Sequence, residues 1–152
     1  HCYAEMFSNC GSLTTPPSLP ATTLAESCYS MMFNDCRSLT TAPSLPATTL
    51  APYCYNFMFH DCDNITSLPE LPATNIPERA YYCMFKEGAQ IKMSSSSTST
   101  YTTAYRIPSS GTGSVGTDAL TFMFSLTQGT FTGTPTVNTT YYTSNTVIPA
   151  NT

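Results

Sequence analysis

Tryptophan is absent from this 152-residue chain, and charge is scarce: 5 Lys and Arg stand against 9 Asp and Glu, so charged residues make up 9% of the whole. An ordinary soluble domain carries roughly 25%, so solubility here rests on hydroxyls and amides. Cations this few leave no electrostatic footprint for a phosphate backbone, and nucleic acid is not an expected partner. No apolar run reaches the roughly 18 to 20 residues of a spanning helix, and no charged n-region with an apolar h-region opens the chain; membrane insertion is not expected. The histidines are His1 and His60 alone, and no set of nucleophile, base and carboxylate recurs. The chain therefore reads as non-enzymatic, with no cofactor, no catalytic residue and no metal. It begins at His1, which suggests a processed product or a piece of something longer, and its length suits one folded unit.

What is there is a repeat. Cys2-Tyr3-Ala4-Glu5-Met6-Phe7-Ser8-Asn9-Cys10 recurs as Cys28-Tyr29-Ser30-Met31-Met32-Phe33-Asn34-Asp35-Cys36 and as Cys54-Tyr55-Asn56-Phe57-Met58-Phe59-His60-Asp61-Cys62, a step of 26 residues each time. Each block is followed by Leu13, Leu39 or Ile65, then Pro17, Pro43 or Pro69, then a Leu-Pro-Ala-Thr segment. A fourth copy opens in register at Ala80-Tyr81-Tyr82-Cys83-Met84-Phe85, with Gly88 in place of the second Cys. Residues 94–118 are rich in Ser, Thr and Gly, and Arg106-Ile107-Pro108 echoes the Leu-Pro step. Ala119-Leu120-Thr121-Phe122-Met123-Phe124 reads as a degenerate fifth copy, and terminal repeats are expected to be atypical because one face has no neighbour.

Within a copy, Cys28, Met32, Phe33 and Cys36 fall on one stripe of a 3.6-residue helix. Thr23-x-x-Glu26 and Asn75-x-x-Glu78 match capping boxes, with Pro52 and Pro77 in the first turn, so the spacing predicts a short helix over residues 24–34 and its equivalents. Leu13, Thr15, Pro17 and Leu19 alternate with Thr14, Pro16 and Ser18, which predicts a strand of about three residues. A strand-plus-helix coil cannot bury its own stripe, so stacking makes the core. The expected fold is an α/β repeat, a right-handed leucine-rich-repeat-like solenoid over residues 1–93, with an irregular insertion at 94–118 and a degenerate repeat and strand-rich cap at 119–152. One mobile loop is expected near residues 94–100. Phe131, Tyr141, Tyr142, Val147 and Ile148 supply apolar surface for the cap.

The segment Met32-Phe33-Asn34-Asp35-Cys36-Arg37-Ser38-Leu39 resembles the signature of BspA-like leucine-rich repeats, whose usual form is Ala-Phe-x-x-Cys-x-x-Leu. The resemblance is to a 26-residue variant, similar to repeats in surface proteins of gut Bacteroidales and in fibre-like proteins of their phages. It covers residues 1 to about 93 well and 119–142 weakly. It implies a surface-exposed adhesion or recognition solenoid, and it brings no catalytic residues.

Other constellations have plain readings. Seven cysteines invite disulfides, but Cys28 and Cys36 on one helix would lie about 12 Å apart, outside the roughly 4.4 to 6.8 Å window. The columns Cys2/Cys28/Cys54 and Cys10/Cys36/Cys62 have three members each and cannot pair completely, which favours thiols as small buried hydrophobes; Cys-x7-Cys is no zinc spacing. The column Asn9/Asp35/Asp61/Glu87 reads as loop-closing hydrogen bonds rather than calcium ligands. Arg37 and Asp63 share a repeat position and suit a surface ion pair, His60 is expected to be exposed, and the tyrosine column from Tyr3 to Tyr81 suits core packing. Adjacent Thr14 and Thr15 cannot both face outward from a strand, which weighs against an ice-binding face.

The functional expectation is a non-enzymatic adhesion or recognition module on a bacterial surface or phage virion, extracellular. Its candidate binding residues are Thr14, Thr40, Thr66, Ser18, Ser44 and Glu70 on the concave strand face. Expected partners are a host surface protein or glycan, or other virion or surface subunits, and an oligomer is compatible with the sequence. A structural spacer is the second reading, and a hydrolase a third.

Overall fold

A computed structural model of the chain describes residues 3–147; His1, Cys2 and Ile148 lie outside them. In the second copy, alternate N–H groups take different partners. Those of Cys28, Ser30, Met32, Asn34 and Cys36 donate to the carbonyl three residues earlier at 3.2 Å, a run of overlapping turns. Those of Ser27, Tyr29, Met31, Phe33 and Asp35 donate instead to Pro52, Cys54, Asn56, Met58 and His60 of the next copy, at 2.8 to 3.1 Å. Every fourth residue is left-handed: Ser27, Met31 and Asp35 have φ of 55°, 55° and 58°, and Tyr53, Phe57 and Asp61 repeat this at 61°, 55° and 58°.

This overturns the expected fold class. Among the described residues there is no helix, and strand-plus-helix coils of a leucine-rich-repeat-like solenoid do not form; the chain is a small β-rich fold. The physical reason lies in the backbone. A helix needs right-handed φ throughout and sends every N–H back along its own turn, whereas here half of the N–H groups leave for the neighbouring copy. Thr23-x-x-Glu26 and Asn75-x-x-Glu78 accordingly cap nothing; Thr23 forms a parallel bridge to Thr49 instead. Left-handed φ costs an ordinary residue about 1 to 2 kcal/mol, and such strain persists where the surroundings over-determine it. The cross-copy hydrogen bonds on both sides of Met31 supply that constraint.

Successive copies consequently lie face to face, and equivalent side chains form columns. Phe7, Phe33, Phe59, Phe85 and Phe124 stack at centroid spacings of 5.2 to 5.7 Å with their planes within 8°. Tyr3, Tyr29, Tyr55 and Tyr81 stack at 5.9 to 6.0 Å, the packing role expected of that column. Met32, Met58, Met84 and Met123 are buried, while Met6, on the first copy, is 59% exposed.

The return half of each copy is extended. In residues 44–48, Leu45 and Ala47 are buried in the core, Ser44 and Thr48 are exposed, and Pro46 between them is half-buried. The three-residue strand expected near residues 13–19 is absent, and ladders longer than a bridge begin only in the third copy. There β1 (Ser67–Leu68) and β2 (Asn75–Ile76) are paired by segments from far along the chain. β3 (Lys92–Ser94), β4 (Thr103–Arg106), β6 (Gln128–Gly129) and β7 (Thr140–Thr143) form one sheet in the order β4-β7-β3-β6. β5 (Ser114–Val115) runs parallel to β2, and β8 (Thr146–Val147) parallel to β1. The echo at Arg106-Ile107-Pro108 lies beside residues 69–71: the Tyr105 hydroxyl donates to the Pro69 carbonyl at 2.7 Å and the Ser109 N–H to Leu71 at 3.0 Å. Gly129 sits where β6 meets β3, with φ of 91°; a Cβ there would strike the Met93 backbone.

Candidate functional site

The six candidate binding residues divide into two settings. Thr14, Thr40, Thr66, Ser18 and Ser44 are exposed on the return segments, whereas Glu70 is half-buried. Thr40 and Thr66 are brought together directly: the Thr66 N–H and hydroxyl both donate to the Thr40 carbonyl, at 3.0 and 3.3 Å. Glu70 departs from the serine column because the C-terminal region covers it. It lines a cavity of about 250 Å³ with Tyr105, Arg106, Ser109, Thr140 and Val147.

Arg106 and Asn138, which were not among the binding candidates, shape that neighbourhood. The Arg106 guanidinium donates to the Pro108 carbonyl at 2.9 Å and reaches Asn138 Oδ1 at 3.4 Å, while Asn138 exchanges hydrogen bonds with the Gly113 backbone at 2.7 and 3.1 Å. A signal was available: Arg106 and Asp118 are the only charged residues after Lys92.

On the turn side, Arg37 gathers the carboxylate column. Its guanidinium donates to Asp35 at 2.5 Å, Asp61 at 2.7 Å and Asp63 at 2.7 Å, so the expected pairing with Asp63 is present and two further carboxylates join it. Partial burial lifts the Asp61 carboxyl above its usual range, with Arg37 pulling the other way. Asp35 and Asp61 are also left-handed, a conformation that a short polar side chain tolerates better than most. His60 is half-buried rather than exposed: Nδ1 lies 2.7 Å from Asn34 Oδ1, Nε2 lies 3.3 Å from Glu87 Oε2, and Phe57 packs edge-on at 5.4 Å.

The cysteines are structural in their surroundings. None of Cys10, Cys28, Cys36, Cys54, Cys62 and Cys83 is in a disulfide. The Cys36 thiol donates to the Phe7 carbonyl at 3.0 Å and the Cys62 thiol to the Phe33 carbonyl at 3.1 Å. Burial pushes the Cys54 and Cys62 thiols up to about 12, so both are protonated at neutral pH and inert as nucleophiles. Among the described residues, no three His, Cys, Asp or Glu side chains are grouped to hold a metal ion, and no helix is long and apolar enough to cross a membrane.

Comparison with family models, with curated proteins and with solved structures gives no match.

Proposed function

We propose that this chain is a non-enzymatic recognition module that works on an exterior surface, bacterial envelope or phage particle, and binds a host protein or glycan through its hydroxyl rows. The observation that carries this reading is the exposure of Thr14, Thr40 and Thr66 at the same place in three successive copies, with Ser18 and Ser44 four residues further on. Within the row Thr66 and Thr40 are joined by hydrogen bonds to the Thr40 carbonyl, and the row runs beside the buried Leu39 and Ile65 of the core. Neutral donors and acceptors on a rigid frame suit sugars and polar loops, because little ordering entropy is lost on binding.

The test is Thr14→Lys, Thr40→Lys and Thr66→Lys together, compared with the parent for binding to glycan arrays and bacterial surfaces. Binding is expected to disappear with the melting temperature unchanged; binding that survives removes the hydroxyl rows from the account. The uninterrupted ring columns favour a second reading, a structural spacer. That reading expects a chain lacking residues 27–52 to be shorter by one copy and to keep its attachment.

A further inference from the structure

The two ends of the stack differ. Each copy accepts from the copy before it through alternate carbonyls: in the second copy, Ser30, Met32 and Asn34 accept from Glu5, Phe7 and Asn9 at 2.8 to 3.0 Å. The equivalent carbonyls of the first copy belong to Ala4, Met6 and Ser8, and among the described residues no donor reaches them. Beside them Tyr3 is 47% exposed and Met6 59% exposed, and with Phe7, Leu19, Tyr29 and Met32 they line an open cleft of about 450 Å³. At the far end two of the outward donors are already taken. The Phe122 N–H donates to Thr134 Oγ1 and the Phe124 N–H to the Gly133 carbonyl, both at 2.9 Å.

We propose that the Tyr3, Met6 and Phe7 face is a docking surface for one further unit of the same 26-residue repeat, which would supply N–H donors at alternate residues and set its tyrosine and phenylalanine on Tyr3 and Phe7. The surface continues an interface that the chain already forms between each pair of copies, with the same spacing of acceptors and the same rings. A second copy of this chain fits less well. Head to head, it brings acceptors against acceptors; head to tail, it meets an end where residues 133 and 134 already occupy the central donors, those of Phe122 and Phe124.

The test places a copy of residues 27–52 immediately before His1 of the full chain, the junction that keeps the 26-residue register. A control fusion carries Tyr29→Ser and Phe33→Ser in the added unit. Oxidation of Met6 by dilute peroxide is read by mass spectrometry, with buried Met84 as the internal standard for an intact body. Docking is expected to slow Met6 oxidation by about tenfold or more in the first fusion and not in the control, since sulfoxide formation follows exposure, while the unfused chain sediments as a monomer. Equal Met6 reactivity in both fusions overturns the proposal, as does loss of Met84 protection in the first. A concentration-dependent dimer of the unfused chain with Met6 already shielded also overturns it, and assigns the face to a second copy.

Discussion

Copies one to three hand alternate N–H groups of their turn segments to the next copy at a constant offset, from Tyr3 to Cys28 and from Tyr29 to Cys54, as far as Tyr55 to Ala80. After Lys92 no constant offset survives. β3 pairs with β6 and β7, β8 returns to β1 in the third copy, and Asn145 ties together two distant segments of chain, at Thr66 and at Gln90 and Lys92. The first region is held by uniform columns, each ring resting on the same ring in the next copy. The second is held by individual polar groups, each with its own partners. A stack of identical units has no way to stop itself, and the irregular region is where the ladder ends: its residues 133 and 134 take donors that a sixth copy would otherwise receive.

The largest effect should separate the middle of a column from its end. Phe59 is fully buried between Phe33 and Phe85, and Phe59→Ala should cost about 3 to 5 kcal/mol in urea unfolding. Phe7→Ala, at the open end, should cost less than half as much. Similar losses at both would show that the column is not the source of stability.

Alkaline pH comes next, because all seven cysteines lie before residue 84. The folded Cys54 and Cys62 thiols titrate near 12, above the ordinary 9.0. A raised folded value makes the contribution complete below pH 9 and loses it as pH climbs toward 12, where the unfolded chain has shed protons that the folded one keeps. Stability should fall in that window by up to about 1.4 kcal/mol per pH unit for each such thiol, and Cys54→Ala with Cys62→Ala should flatten the slope. An unchanged slope in the double variant would exclude the thiols as its source.

For the irregular region, Asn145→Ala should cost about 1 to 3 kcal/mol by leaving buried backbone groups without partners. Its mark is locality: amide exchange should rise at Lys92 and in β8, and not at Phe33 or Met58. A rise spread evenly over the first three copies would erase the distinction between the regions.

The smallest effect is the most diagnostic of backbone form. Ser27 is left-handed, so Ser27→Gly should stabilise by about 0.5 to 1 kcal/mol through relief of strain, whereas glycine inside a helix destabilises by a similar amount. The sign decides.

The repeat, its register and its inward residues were legible in the sequence, and the form of the turn segment was not. Tyr29 and Phe33, like Cys28, Met32 and Cys36, are spaced by four residues, and a nine-residue block is too short to separate a period of 4.0 from the 3.6 of a helix: the two differ by about 10° per residue. What distinguishes them is left-handed φ, and Met31, Phe57 and Cys83 adopt it without the glycine that would announce it. Among the binding candidates, the threonine rows were readable from their register. The burial of Glu70 was not, because it depends on residues 105 to 109 and 140 to 147 returning over the third copy, a long-range pairing that no local pattern encodes.

The alternating ladder is directly observable by scalar coupling through hydrogen bonds in a labelled sample. Coupling from the Met31 amide nitrogen to the Asn56 carbonyl carbon, and from Phe33 to Met58, is the result this account requires. Coupling from Met31 to Ser27 and from Phe33 to Tyr29, the four-residue pattern of a helix, would contradict it.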